Sequence, residues 1–155
     1  MFVRLLVTVG VSLLVVAAPA RADPVDQLCA RAAEKINVIA DGVSTLCLTV
    51  KGDDPGTRSV MLMTSARVFD NARLKQGWLM LGCATIGAEL NAGAKVRLDK
   101  VTFSDLAAAK GGYGYAVPAA LCMQLQRDTK ADKLTLTEFY AAMNSKLTRI
   151  GNSAQ

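Results

Sequence analysis

The chain has 155 residues, 18 of them basic and 13 acidic, and it contains no histidine. The missing histidine excludes Ser-His-Asp and Cys-His nucleophilic catalysis and removes the commonest metal ligand. The basic residues lie singly among acidic ones, and aromatic residues make up only 5% of the chain, so the composition argues against a nucleic-acid-binding protein.

The N-terminal segment has the features of a secretory signal peptide. Arg4 gives a short positive region, residues 5–18 are almost wholly apolar, and Ala20 and Ala22 are the small residues that signal peptidase requires. The apolar run is shorter than the roughly 20 residues of a membrane span. We therefore predict a signal peptide at 1–22, a mature chain without a transmembrane anchor, and a location in the periplasm or outside the cell.

Residues 23–150 are predicted to form a single globular domain, followed by a flexible tail at 151–155. The first element is a helix that begins at Asp23 and Pro24 and ends by Gly52, because apolar residues recur at three- and four-residue steps throughout this stretch. Gly42 weakens such a helix by about 1 kcal/mol relative to alanine, so a break there is the alternative.

The middle of the chain combines an ambiguous stretch with a clear helix. A turn at 51–56 is followed by residues 57–69, whose alternating apolar residues favour a strand, although a helix also fits. Residues 71–91 predict a second helix with apolar residues on most sides, which indicates that it is buried on most sides.

The C-terminal half predicts a hairpin and two helices. Residues 95–103 alternate as a strand with a bulge, and residues 111–117 could form its antiparallel partner; a short helix at 104–110 is the alternative. A third helix opens at 117–118, and a fourth begins at a capping box and continues to Ile150. The predicted fold is mainly α, with α+β as the alternative: about four helices and a small antiparallel sheet.

Four cysteines in an exported chain predict two disulfides. If the first helix is continuous, Cys29 and Cys47 lie about 27 Å apart along its axis, which is too far for a bond between them. We therefore expect one of them to pair with Cys83 and the other with Cys122, with the choice left open. The chain has no Cys-x-x-Cys motif, which would indicate a redox or metal site, so we expect the disulfides to be structural.

Carboxylate pairs are the acid–base machinery that remains without histidine. Asp99 and Asp105 flank the predicted strand and form the best candidate pair. The other acidic candidates lie beside turns or helix caps, where a structural role is common: Asp53, Asp54, Asp128, Asp132 and Glu138. No residue is assigned a catalytic role.

Residues 128–140 resemble the end of a calcium-binding loop without matching its ligand pattern. If Glu138 is the twelfth position, Arg127, Thr129 and Ala131 stand where the first acidic ligands belong, and glycine is missing from the sixth position. A capping box explains Thr135 and Glu138 without metal. We therefore predict no metal and no cofactor.

The glycine-rich stretch 110–117 is the best candidate for a binding loop, with Tyr113 and Tyr115 as contact residues. The expected function is that of a small exported, non-enzymatic binding protein with an unknown ligand and a protein partner in the cell envelope. The alternatives are a small carboxylate-dependent enzyme and a purely structural envelope component.

Overall fold

The structure is a computed structural model that describes residues 22–106 and 113–151, which contain five helices and five strands. In chain order the elements are α1 (Pro24–Ile39), β1 (Leu46–Lys51), β2 (Arg58–Thr64), α2 (Ala66–Asp70), α3 (Ala72–Asn91), β3 (Leu98–Asp105), β4 (Tyr113–Pro118), α4 (Ala119–Lys130), α5 (Leu136–Ser145) and β5 (Thr148–Gly151). The fold class is therefore α+β, and the prediction of a mainly α protein was only partly right.

The five strands form one mixed sheet in the order in which they occur in the chain. Neighbouring strands are antiparallel except for β2 and β3, which are parallel. Parallel neighbours require a crossover connection, and α2 and α3 provide it. The sheet is thus larger than predicted, and it is antiparallel in only three of its four pairings.

All five helices lie on one side of the sheet. A single row of paired positions crosses four strands on that side: Cys47, Leu62, Phe103 and Tyr115. Cys47 is bonded to α1, the Phe103 ring lies 5.5 Å from the Trp78 ring of α3, and the Tyr115 ring lies 6.2 Å from the Phe69 ring of α2. Helices α4 and α5 pack on α3 and so complete the layer.

The first helix is shorter than predicted. It ends at Ile39, and Gly42 in the following turn has a φ of +76°, a conformation that favours glycine. The chain then reverses and enters β1. Just before this strand, the Thr45 backbone N–H donates a hydrogen bond to Asn37 of α1 at 2.6 Å, and the Thr45 carbonyl accepts one from Asn37 at 3.1 Å. The alternative of a break at Gly42 was therefore correct, and the continuous helix was wrong.

This reversal overturns the predicted disulfide connectivity. Cys29 bonds to Cys47, with the two Cα atoms 5.4 Å apart, and Cys83 bonds to Cys122. The 27 Å separation assumed one continuous helix, whereas Cys47 lies on a strand that folds back beside α1. The number of disulfides was predicted correctly, and the exclusion of a Cys29–Cys47 bond was wrong.

The remaining elements match the predictions to different degrees. Residues 57–69 contain both a strand and a short helix, so each interpretation was right for part of the stretch. The 71–91 helix, the β3–β4 hairpin and the capping box of α5 are confirmed. The last helix ends at Ser145 rather than Ile150, because residues 148–151 form β5 against β4; the predicted tail therefore loses Gly151 to the sheet.

The disulfide connectivity can be tested by peptide mapping. Trypsin cleaves between Cys29 and Cys47 at Arg31 and Lys35, and we expect the two resulting peptides to stay joined until they are reduced. Mass spectrometry of the non-reduced digest measures this directly. Recovery of a Cys47 peptide joined to a Cys83 or Cys122 peptide would contradict the structure.

Helix α3 touches both the sheet and α4 at glycines. A Cβ atom on Gly82 would lie 2.7 Å from Phe103 Cε1, and one on Gly87 would lie 2.7 Å from the Cys122 carbonyl carbon. Such contacts are too short for any side chain, so these glycines permit α3 to approach its neighbours closely. Backbone atoms cannot rotate away as a side chain can, and Gly87 is therefore the more restrictive position.

We expect Gly87→Ala to lower the free energy of unfolding by about 1–3 kcal/mol, because the added methyl group overlaps the α4 backbone. Gly77→Ala in the same helix is the matched control, since its Cβ would meet no atom within 4 Å. The control should raise stability by about 0.5–1 kcal/mol through helix propensity. Urea unfolding measures the free energy of unfolding of both variants. Equal changes in the two variants would refute the close approach of α3 to α4 at Gly87.

Candidate ligand-binding groove

The predicted contact residues Tyr113 and Tyr115 begin strand β4. The half-buried Tyr115 ring stacks on Phe69, and the Lys75 ammonium group lies 5.6 Å from the ring centre. Tyr115 therefore supports the packing of α2 and α3 on the sheet. Partner binding at Tyr113 and Tyr115 stays a prediction.

The predicted carboxylate pair is not brought together. Asp99 and Asp105 lie near opposite ends of β3, six residues apart, which corresponds to about 20 Å along a strand. Asp99 instead accepts a hydrogen bond from the Asp53 backbone N–H, and the Asp53 carboxylate pairs with Lys100 at 2.7 Å. These contacts hold the β1–β2 turn against the start of β3.

The residues of the calcium-like segment form a turn and a helix cap. Asp132 has a φ of +56° in the turn after α4, and Glu138 caps α5 together with Thr135. Hydrogen bonds from the Thr135 backbone N–H and hydroxyl hold the pKa of Glu138 below its usual range. Within the described ranges no three Cys, Asp or Glu side chains cluster closely enough to hold a metal ion.

A concave site with a mostly apolar lining is a groove on the outer surface of the helical layer. Helix α3 forms its floor, the C-terminal half of α1 forms one wall, and α4 and α5 form the other. Its volume is about 550 Å³. The lining residues are Lys35, Ile39, Met80, Leu81, Ala84, Thr85, Ala88, Gln126, Thr129, Lys130, Leu136 and Phe139.

The groove exists because α3 presents apolar side chains on nearly every side. One side contacts the sheet through Trp78 and Gly82, and Met80 and Ala84 line the groove. The Cys83–Cys122 bond and the Gly87 contact hold α3 and α4 together. The groove floor and its α4 wall are thus covalently connected.

The opening of the groove carries large exposed aliphatic side chains. Ile39 at the end of α1 is 65% exposed, and Leu136 at the start of α5 is 62% exposed. Both residues line the groove. Both also recur with the apolar residues of their helices. Such periodicity identifies a helix face but does not reveal whether another element covers it.

One wall of the groove is attached to its floor by a buried carboxylate. Glu89 of α3 is 5% exposed and accepts a hydrogen bond from Arg31 Nε at 2.8 Å and another from Lys35 Nζ. Burial by itself raises the pKa of the Glu89 carboxyl, but the hydrogen bonds and charges of Lys35 and Arg31 together lower it below its usual range. Glu89 is therefore ionised at neutral pH and joins α1 to α3.

Sequence reasoning did not identify this cluster. Arg31 and Lys35 have the four-residue spacing of one helix face, and Glu89 is the single acid of α3, where it follows the mostly apolar stretch 77–88. Such an acid indicates a buried partner, and this was the signal that could have revealed the contact between α1 and α3.

Comparison of the chain with protein-family models, curated proteins and solved structures found no match. Within residues 22–106 and 113–151, no helix combines the length and the apolar character needed to cross a bilayer. The two disulfides suggest an oxidising location of the kind that exported proteins occupy.

We expect Glu89→Gln to destabilise the protein by about 1–3 kcal/mol at pH 7, since charge-assisted hydrogen bonds to Arg31 and Lys35 are lost. A carboxyl whose pKa is lowered by folding stabilises the protein above its unfolded pKa and loses this effect as the pH falls through the folded pKa. The difference in free energy of unfolding between the wild type and Glu89→Gln should therefore shrink as the pH is lowered from 7 to 3.

Thermal unfolding across this pH range measures the effect of the Glu89 substitution. Glu34→Gln is the control, because Glu34 is an exposed acid on α1 with no ion pair among the described residues. If the difference in stability between the wild type and Glu89→Gln does not change with pH, the Glu89 carboxyl is not ionised as assigned.

Proposed function

We propose that the protein is a small exported, non-enzymatic binding protein, and that the groove over α3 binds the apolar part of a small ligand. The observation that carries this proposal is a groove of about 550 Å³ whose lining is mostly aliphatic and aromatic. Ligand sites of roughly 300–1,000 Å³ with a mainly apolar lining and a few polar groups are typical of small-molecule binding proteins.

The arrangement of secondary structure supports a binding role. The groove is built on helices rather than on loops, and a disulfide and the ion pairs of the buried Glu89 hold its floor to its walls. A preformed site loses little conformational entropy when a ligand binds, which favours affinity.

A carboxylate-dependent enzyme is less well supported. Such an enzyme needs two carboxylates directed at one substrate, whereas Asp99 and Asp105 lie near opposite ends of β3. The groove itself has no carboxylate among its lining residues. This arrangement suits retention of a ligand better than acid–base chemistry.

The proposed location is the periplasm or the extracellular medium. A signal peptide at 1–22 would direct the chain through the export machinery, and the disulfides would then form in an oxidising compartment. A protein partner in the cell envelope belongs to the same proposal, since a bound ligand must be received from and delivered to some other molecule.

Binding of Nile red, a neutral apolar dye, tests the groove. We expect the purified protein to bind the dye, and Ala84→Phe to weaken binding at least about tenfold, because one extra ring fills space over the α3 floor and small volume changes in packed sites are strongly felt.

The matched control is Ala141→Phe, which adds the same ring at an exposed position of α5 that does not line the groove. It should leave dye affinity unchanged, and circular dichroism establishes that both variants are folded. Absence of dye binding to the wild type, or equal affinity in Ala84→Phe, would refute the proposed function.

A further inference from the structure

We infer that the groove takes a single-chain amphiphile whose anionic head group is bound by Lys35 and Lys130. This inference rests on the proposed function, because it names the class of ligand for the same groove. It is carried by the charge of the lining residues and by their position along the groove.

The charged side chains that line the groove have only one sign. Lys35 and Lys130 are lysines on opposite walls, and no aspartate or glutamate is among the lining residues. Lys130 forms no ion pair within the part of the chain that the structure describes. It is therefore available to a ligand.

Lys35 also retains attraction for an anion although it contacts Glu89. The Glu89 carboxylate is shared between Lys35 and Arg31, so the cluster of three side chains carries one positive charge in excess. The Lys35 side chain is 56% exposed, which leaves its ammonium group open to a further partner. An anionic head group would balance the excess charge.

The two lysines lie toward the same end of the groove. Lys35 bonds to Glu89, which is adjacent to Ala88 on the groove floor, and Lys130 also lines a neighbouring depression together with Ala88 and Asn91. Both cationic groups are thus placed near the C-terminal end of α3.

The opposite end of the floor is apolar. Met80 and Leu81 lie about 12 Å along α3 from Ala88. Ile39 follows Lys35 by one helical turn. The C-terminal end of α1 lies near the N-terminal half of α3, because Thr45 is hydrogen-bonded both to Asn37 of α1 and, at 2.9 Å, to Trp78 of α3. The groove therefore has a cationic end and an apolar end.

Two of the uncharged polar groups in the lining are already engaged. Gln126 Oε1 accepts a hydrogen bond from Asn91 at 2.6 Å, and the Thr129 hydroxyl donates to the Leu125 carbonyl at 2.9 Å. Recognition of a head group therefore depends mainly on the lysines. Ammonium groups favour carboxylates and phosphate monoesters, and an alkyl chain would occupy the apolar end.

The experiment compares three ligands that share one alkyl chain: decanoate, decyl phosphate and decanol, each measured by displacement of Nile red at pH 8 and low salt. We expect at least one of the two anions to bind about tenfold tighter than decanol, the size of effect that a charge-assisted hydrogen bond produces. The ratio of decanoate to decyl phosphate affinity tells which anion the groove prefers.

Two lysine variants locate the head group. Lys130→Gln should reduce the ratio of anion affinity to decanol affinity several-fold, and added salt should have a similar effect on the wild type. Lys133→Gln is the matched control, because Lys133 is exposed on the following turn and does not line the groove. Lys133→Gln should keep the wild-type ratio of anion affinity to decanol affinity.

The outcomes separate the two proposals. If decanol displaces the dye as well as both anions do, or if Lys130→Gln leaves the preference intact, the head-group inference is wrong although the groove still binds apolar ligands. If Nile red itself does not bind to the wild type, the proposed function fails first.

Discussion

The contact between α3 and the centre of the sheet is the interaction on which the rest of the structure depends. Trp78 and Gly82 bring this helix against Phe103, and Gly87 brings it against α4. Together with α2, α3 also forms the crossover between the parallel strands β2 and β3, so it belongs to the sheet topology as well as to the helical layer. A helix that is apolar on most sides can bury one side on a sheet and still offer another side to a ligand.

The two disulfides hold different parts of this arrangement. The Cys29–Cys47 bond joins α1 to the edge strand β1, and the Cys83–Cys122 bond joins α3 to α4. No disulfide links α1 to α3 directly; within the described residues that connection is made by packing and by Arg31, Lys35 and Glu89. The two walls of the proposed groove are therefore attached to its floor by different means, one covalent and one electrostatic.

Sequence reasoning predicted those elements whose signals are local. The capping box of α5, the long apolar helix over 71–91 and the β3–β4 hairpin all depend on residues close together in the chain. The reversal after Ile39 was not identified as the preferred interpretation, because Leu46 fits both the helical stripe and the alternation of Leu46, Leu48 and Val50 in a strand. Tertiary contacts decide between them: the pairing of β1 with β2, the Cys29–Cys47 bond, and the hydrogen bonds of Asn37 and Trp78 to Thr45.

The groove could not be predicted from sequence for a related reason. Its lining comes from four helices, and each contributes residues that periodicity alone assigns to a core. Whether Ile39 and Leu136 are covered depends on the angles at which α1 and α5 cross α3, and no local pattern encodes those angles.

The amide side chain of Asn37 has a consequence for association between chains. Strand β1 is at the edge of the sheet, and the amide bonds both backbone groups of Thr45, the residue that directly precedes this strand. Edges with free backbone groups promote intermolecular sheet growth and aggregation. Asn37 thus satisfies two backbone groups at the start of this edge, which would otherwise be open to another strand.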